Sequence, residues 1–153
     1  MPDTWCYYAS DQLAEGGFRD RDKEAEKTAG MPVERMRFFD GFHRSIPAFA
    51  AAGNNLIVEH IIEFELWLTD LRVLLKGYDV FMVGVHCPPE ELQRREKLRG
   101  DRAPGEALHH LRTHGFCRYD LEIDGRERAE ANAARIVTAW QERKAPGALF
   151  ENS

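Results

Sequence analysis

A parallel α/β fold, one sheet with helices on both faces, is predicted by three observations. Short apolar runs (TWCYYA, NLIVE, DVFMVGV and YDLEI) recur along the chain at strand length. Between them lie longer stretches whose apolar residues follow helical spacing, and this alternation is the signature of strand-crossover-strand units joined by right-handed connections. Glycines and prolines, Gly53-Asn54, Gly77 and Pro89 among them, punctuate the junctions.

Each element follows from its own residues. Thr4–Ala9 is short, aromatic and apolar, which suits a strand near a sheet interior, and Asp11 comes directly after it, placing a carboxylate at the strand's C-terminal edge. From Ala14 to Gly30 the chain turns polar around Gly16-Gly17 and the run RDRDKEAEK, the composition of a mobile loop or short exposed helix. Pro32 can open a helical turn, and Met36, Phe39, Ile46, Phe49 and Ala50 recur at helical spacing, so one long helix is expected over about Val33–Ala52. Asn55–Glu59 is a continuous apolar run ending in an acid, the pattern of a parallel strand covered on both faces. An amphipathic helix over Phe64–Leu75 closes at Gly77, and Asp79–Val85 is the next buried strand. Pro89 with Glu90 and Glu91 opens a helix rich in arginine. Gly100–Gly105 reads as a loop, followed by a helix over about Glu106–His114, a strand over Tyr119–Ile123 and a last helix over Arg128–Arg143, with 144–153 as a tail.

Composition bounds the function. With 153 residues, 43% hydrophobic and 31% charged, the chain suits one domain around one core. A net charge of -5 excludes a general electrostatic grip on nucleic acid or anionic membranes. Cys6, Cys87 and Cys117 are odd in number and far apart, which suggests neither a disulfide framework nor a zinc site and fits a reducing cytoplasm. No apolar run nears the roughly 20 residues that span a bilayer, and the N-terminus lacks the pattern of a secretion signal, so a soluble cytoplasmic protein is expected.

The stretch Gly77–Arg102 carries the most chemistry. Its strand feeds a helix ending in an arginine cluster, and guanidinium groups on rigid elements grip phosphate bidentately. The motif that usually cradles phosphates, G-x-x-x-x-G-K-S/T, does not occur in the 153 residues.

With the strand NLIVE, the segment GYDVFMVGVHCPPEELQRRE, the loop RGDRAPG and THGFCRYDLEID in place, the sequence resembles the chloramphenicol phosphotransferase family. The likeness runs from about Thr4 to Ile136. It implies a three-layer P-loop kinase-like parallel sheet and ATP-dependent phosphorylation of a hydroxyl on an antibiotic or similar small molecule, with ATP and Mg²⁺ as cofactors. Thr4 already corresponds to the family's second strand: the first strand, phosphate loop and first helix have no counterpart. That first strand lies centrally, between the third and fourth, so its loss opens a gap in the sheet. Gap closure or a tight homodimer is the expected remedy. Glu59-His60 stands where the family carries an acid pair, and Asp124-Gly125-Arg126 where it carries Asp-Thr-Ser.

The resemblance implies a role for each candidate residue, and each has a plainer reading beside it. Asp11 is the candidate general base for the acceptor hydroxyl, or an aspartate that ends a strand by turn chemistry. Glu59 is the candidate Mg²⁺ carboxylate, through water, or a structural acid. Arg95, Arg99 and Arg102 are a candidate phosphate-contacting lid, or a solvated face paired with Glu90, Glu91 and Glu96. His110 and His114 sit one turn apart but have no third ligand fixed by sequence, which favours satisfied or surface histidines over metal. Cys87 reads as packing. The alternative for the whole chain is a truncated or diverged family member without catalysis, acting as a binding or dimerising module.

Overall fold

The structure, a computed structural model, describes residues 4–18, 33–99, 105–144 and 147–151. The described elements are β1 (Trp5–Ala9), α1 (Ser10–Leu13), α2 (Val33–Ala51), β2 (Asn55–Glu59), α3 (Glu65–Leu74), β3 (Val83–His86), α4 (Pro89–Arg99), α5 (Glu106–His110), β4 (Leu121–Asp124) and α6 (Ala129–Gln141). The parallel α/β class expected from the alternation holds. Both strand pairs are parallel: β1 pairs with β2 from Trp5–Asn55 to Ala9–Glu59, and β3 pairs with β4 from Val83–Leu121 to His86–Asp124. Each pair is a two-stranded sheet, and no further strand joins either among the described residues. The chain forms two compact units, residues 1–60 and 61–153.

In the first unit, α2 buries Phe39, Phe42, His43 and Ile46, which lie at offsets of three, four and seven and so share one helical face. Phe42 is 1% exposed. Tyr8 of β1 stacks on its ring with centroids 5.2 Å apart, and the Tyr8 hydroxyl lies 2.6 Å from Ser45 Oγ. Met36 and Phe49, expected on the buried face, are instead exposed, because the face turns towards Phe42 and His43. The greater correction concerns β2. Its apolar run does form a parallel strand, but Asn55, Ile57, Val58 and Glu59 are all exposed, and among the described residues the strand pairs with β1 alone.

In the second unit, Trp67, Leu68 and Leu71 form the buried face of α3, while the expected Leu66 is exposed. Gly77 adopts φ 92°, the left-handed conformation that suits a chain leaving a helix. The strand expected over Asp79–Val85 begins only at Val83. The reason lies in Asp120: its carboxylate accepts from the Met82 N–H at 2.7 Å and from the Ala148 N–H at 2.8 Å, so a side chain takes the place of ladder bonds there. Asp120 and Leu121 N–H both donate to the Met82 carbonyl, which shifts β4 to Leu121–Asp124. The helix expected over Glu106–His114 tightens after His110 into a 3₁₀ turn, Leu111–Gly115, as the Thr113 hydroxyl donates to the Ile62 carbonyl at 2.7 Å. Residues 147–149 are buried, Leu149 at 2% exposure, and the Leu149 carbonyl accepts from Arg72 Nε at 2.8 Å, so this stretch packs into its unit. No helix among the described residues is long and apolar enough to cross a membrane.

Candidate functional site

Ligands of parallel sheets collect at the carboxyl ends of the strands, where the connections leave polar groups facing one crevice. Each unit has such an edge.

In the first unit the edge is acidic. Asp11 is exposed in the first turn of α1, directly after β1, and Glu59 ends β2 opposite Ala9. The Tyr7 hydroxyl donates to the Glu59 carboxylate. That bond, with some burial and the charges of Glu59 and Asp11, raises the Tyr7 phenol above its ordinary pKa. One edge therefore gathers two carboxylates and a phenol. Behind it His60 Nε2 meets His43 Nε2 at 2.8 Å, against the rings of Phe39 and Phe42. Burial, then the neighbouring His43 and the charge of Arg35, push His60 down to about 3, so it is neutral near pH 7.

In the second unit the edge is a charged cleft of about 440 Å³, lined by His86, Cys87, Glu122, Asp124 and Arg126 among others. Asp124 ends β4. Arg126 clasps it with Nε at 3.0 Å and Nη2 at 2.6 Å, and the Arg126 N–H donates to Oδ1 at 2.8 Å. Arg126 accordingly holds Asp124 down at about 2. Arg95 of α4 donates from Nη2 to the Gly125 carbonyl at 2.9 Å and from Nε to Glu91 at 2.6 Å. Arg94 shares Glu91, and the two guanidinium groups hold that carboxyl at about 2. Asn132, buried in α6, donates to the Asp124 carbonyl at 2.8 Å and so pins the loop from behind. The rings of His86 and His114 lie 4.0 Å apart, and His114 Nδ1 meets the Tyr119 hydroxyl at 2.8 Å.

The residues read from sequence thus fall into two sets. Asp11 and Glu59 share the edge of the first unit; Arg95 joins Gly125, Asp124 and Arg126 in the second. Arg99 is the exposed last residue of α4, and Arg102 lies outside the described residues. Asp124 and Arg126 were not picked out as site residues from sequence, although Asp124 follows the same rule that selected Glu59: an acid ending a strand. His110, half-buried, lies 4.0 Å from Glu106, and His114, also half-buried, bonds to Tyr119; among the described residues no group of three or more His, Cys, Asp or Glu side chains is placed to hold a metal.

Parallel strand-helix units with charged groups at their carboxyl ends define an α/β protein with polar strand edges. The chain belongs to the chloramphenicol phosphotransferase-like family, whose pattern matches residues 1–141. It is also similar to two Mycobacterium tuberculosis proteins, "Putative O-phosphotransferase MT2714" of strain CDC 1551 and "Putative O-phosphotransferase Rv2636" of strain H37Rv. Each is 41% identical over 83 residues, which are 54% of this chain and 37% of the relative. The match therefore spans little more than a third of those relatives' length, and they are the longer proteins.

Proposed function

We propose that this chain carries the acceptor edge and the arginine-bearing edge of an O-phosphotransferase, which moves a phosphoryl group from ATP to a hydroxyl of a small molecule. The observation that carries this reading is the division of charge between the two strand edges. Phosphoryl transfer needs a carboxylate to receive the hydroxyl proton and cations to offset the phosphate charge. Asp11, exposed and directly after β1, is the proposed base. Glu59 beside it suits Mg²⁺, which is commonly held by one or two carboxylates together with substrate phosphates and water. Its hydrogen bond from Tyr7 orients the carboxylate. Arg95 and Arg126 at the second edge, with Arg99 and Arg102 just after Arg95 in the chain, are the proposed phosphate contacts. ATP itself fits only in part, because the phosphate loop G-x-x-x-x-G-K-S/T that would bed its anionic oxygens in backbone amides is not in the 153 residues. The acceptor is a hydroxylated small molecule, with an antibiotic such as chloramphenicol the first to test.

The missing loop specifically favours a second reading for the chain taken alone, a non-catalytic binding module. Calorimetry with Mg-ATP separates the two. The expected result is no measurable binding by this chain alone, with binding, and transfer of one phosphoryl group to the acceptor seen by mass spectrometry, once a polypeptide supplying the strand and phosphate loop is added. Failure to bind nucleotide in both conditions overturns the phosphotransferase reading and leaves the binding module.

A further inference from the structure

The loop leaving β4 is held through its backbone from three directions. The Gly125 N–H donates to the His86 carbonyl at 2.7 Å, the Gly125 carbonyl accepts from Arg95 Nη2 at 2.9 Å, and the Asp124 carbonyl accepts from Asn132 Nδ2 at 2.8 Å. Gly125 has little room to drift, since a Cβ there would stand 3.2 Å from the His86 carbonyl oxygen.

Of these anchors, Asn132 is the one that folding alone would not choose. It is 7% exposed and shares its face of α6 with the half-buried Ile136 and Ala139, at offsets of four and seven, where an apolar residue is the ordinary occupant. Its Oδ1 is buried and has no hydrogen-bond partner among the described residues. Leaving a buried acceptor unpaired costs at least as much as one neutral hydrogen bond contributes. Nor does the Asp124 carbonyl depend on Asn132 for a partner, because the Glu127 N–H also donates to it, at 3.1 Å. A buried polar group kept under these conditions calls for a reason other than stability.

From this geometry we infer that Asn132 is the positioning residue of the arginine cluster: its amide fixes the backbone of residues 124–126, and that loop sets where the guanidinium groups of Arg95 and Arg126 stand. The inference rests on the reading that these two arginines contact phosphate. Arg126 clasps the Asp124 carboxylate through Nε and Nη2, and Arg95 reaches the next carbonyl along, so both groups take their bearings from the same short loop. Two like charges are thereby held near one carboxylate, which feels them both. A planar guanidinium engages phosphate by a fork of fixed geometry, so a small shift of the loop lowers affinity where it changes stability little. Asn132, itself buried, acts through the loop.

Asn132→Leu, which keeps the branched shape, and Asn132→Ala, which leaves room should leucine overpack, test this in three measurements. In urea, the second unit is expected to keep its midpoint with at least one of them. In calorimetry with Mg-ATP and the polypeptide that supplies the phosphate loop, affinity is expected to fall about tenfold or more, as with Arg95→Ala. Combining the Asn132 and Arg95 changes should lose no more than the weaker-binding single variant, because one residue acts through the other. By NMR of the chain alone, the Nε–H signals of Arg95 and Arg126 should shift in both Asn132 variants and stay in place in Ile136→Val, one turn along the same face. Asn132 variants that bind as the wild type does, while Arg95→Ala weakens binding, overturn the inference and leave the phosphate reading standing. So does a loss of affinity that merely tracks a lowered urea midpoint, which would make Asn132 a structural residue. If no nucleotide binds, the phosphotransferase reading falls and the arginine signals alone decide: shifted, they uphold the positioning of the cluster; unmoved, they overturn it.

Discussion

The two strand pairs solve the same problem with opposite chemistry. At the carboxyl end of β1 and β2, the carboxylate of Glu59 is held by a neutral phenol, and the groups behind it are a half-buried His60 and a buried His43. At the carboxyl end of β3 and β4, Asp124 is held by the guanidinium of Arg126, and Glu91 by Arg94 and Arg95. A carboxylate paired with a guanidinium keeps its charge down to low pH; one whose partner among the described residues is a phenol keeps lone pairs available. The first edge thus leaves its carboxylates less engaged than the second, which ties its carboxylates into ion pairs. The same residue type, an acid ending a parallel strand, acquires its role from its partner.

Removing the core of one unit should break the comparison most severely. Phe42→Ala deletes a side chain that is 1% exposed and stacked on Tyr8, and should destabilise the first unit by about 3–5 kcal/mol. Urea unfolding read by backbone NMR signals should show residues 33–59 melting early, with residues 83–141 retaining their midpoint.

A smaller loss is expected at Gly84 in β3, where a Cβ would stand 2.6 Å from the Tyr119 ring. Gly84→Ala must displace that ring and its hydroxyl contact with His114, at a cost of about 1–3 kcal/mol. Here the second unit should lose stability while the first keeps its midpoint, and Gly84→Ala with Tyr119→Ala should restore part of the loss.

Acid sharpens the contrast further. The folded-state pKa of His60 lies near 3, below its ordinary 6.5, so the unfolded chain binds the proton more readily. Its contribution to stability is whole above about pH 6.5 and is lost as pH falls towards 3, at no more than about 1.4 kcal/mol per pH unit. Asp124 and Glu91 are also depressed, to about 2, but from carboxylate values, so their contribution begins to fail only below about pH 4.5. Between pH 6.5 and 4.5 the first unit should therefore weaken more than the second, where burial and then the neighbouring His86 hold His114 below its ordinary value and give a slope of the same sign. His60→Gln should flatten that slope, and a first unit whose urea midpoint ignores pH in this window would contradict the assignment.

The least effect on stability belongs to Arg95→Ala. Its contacts with Glu91 and Gly125 are exposed, and its loss should change the unfolding free energy by about 0.5 kcal/mol or less. If Arg95 contacts phosphate as proposed, nucleotide affinity in the loop-supplemented assay should nonetheless fall about tenfold or more, since charge-assisted bonds to phosphate are among the stronger ones. A variant that keeps full affinity would reduce Arg95 to a surface residue.

Much of this was legible in the residues. The four strands, the long helix from Val33 and the arginine helix from Pro89 follow from local periodicity and punctuation, which depend only on near neighbours in sequence. Asp11 and Glu59 were legible for the same reason: an acid directly after an apolar run must emerge at the end of that strand.

Sequence alone thus determined the order of elements and the parallel α/β class, because these are written in spacing and composition, while its ordered motifs carried the resemblance to the family. Tertiary structure decided what depends on residues distant in the chain. Asp120 reaching Met82 and Ala148 shortens β3 and buries residues near the C-terminal end. The side chain of Arg126, folding back on Asp124, and that of Arg95, crossing thirty positions to Gly125, draw the arginine helix and the end of β4 into one charged cluster. β2 shows the limit most plainly: NLIVE says that the strand is made to be covered, and only the three-dimensional pairing reveals that its partner among the described residues is β1, because no single run of residues specifies its neighbour.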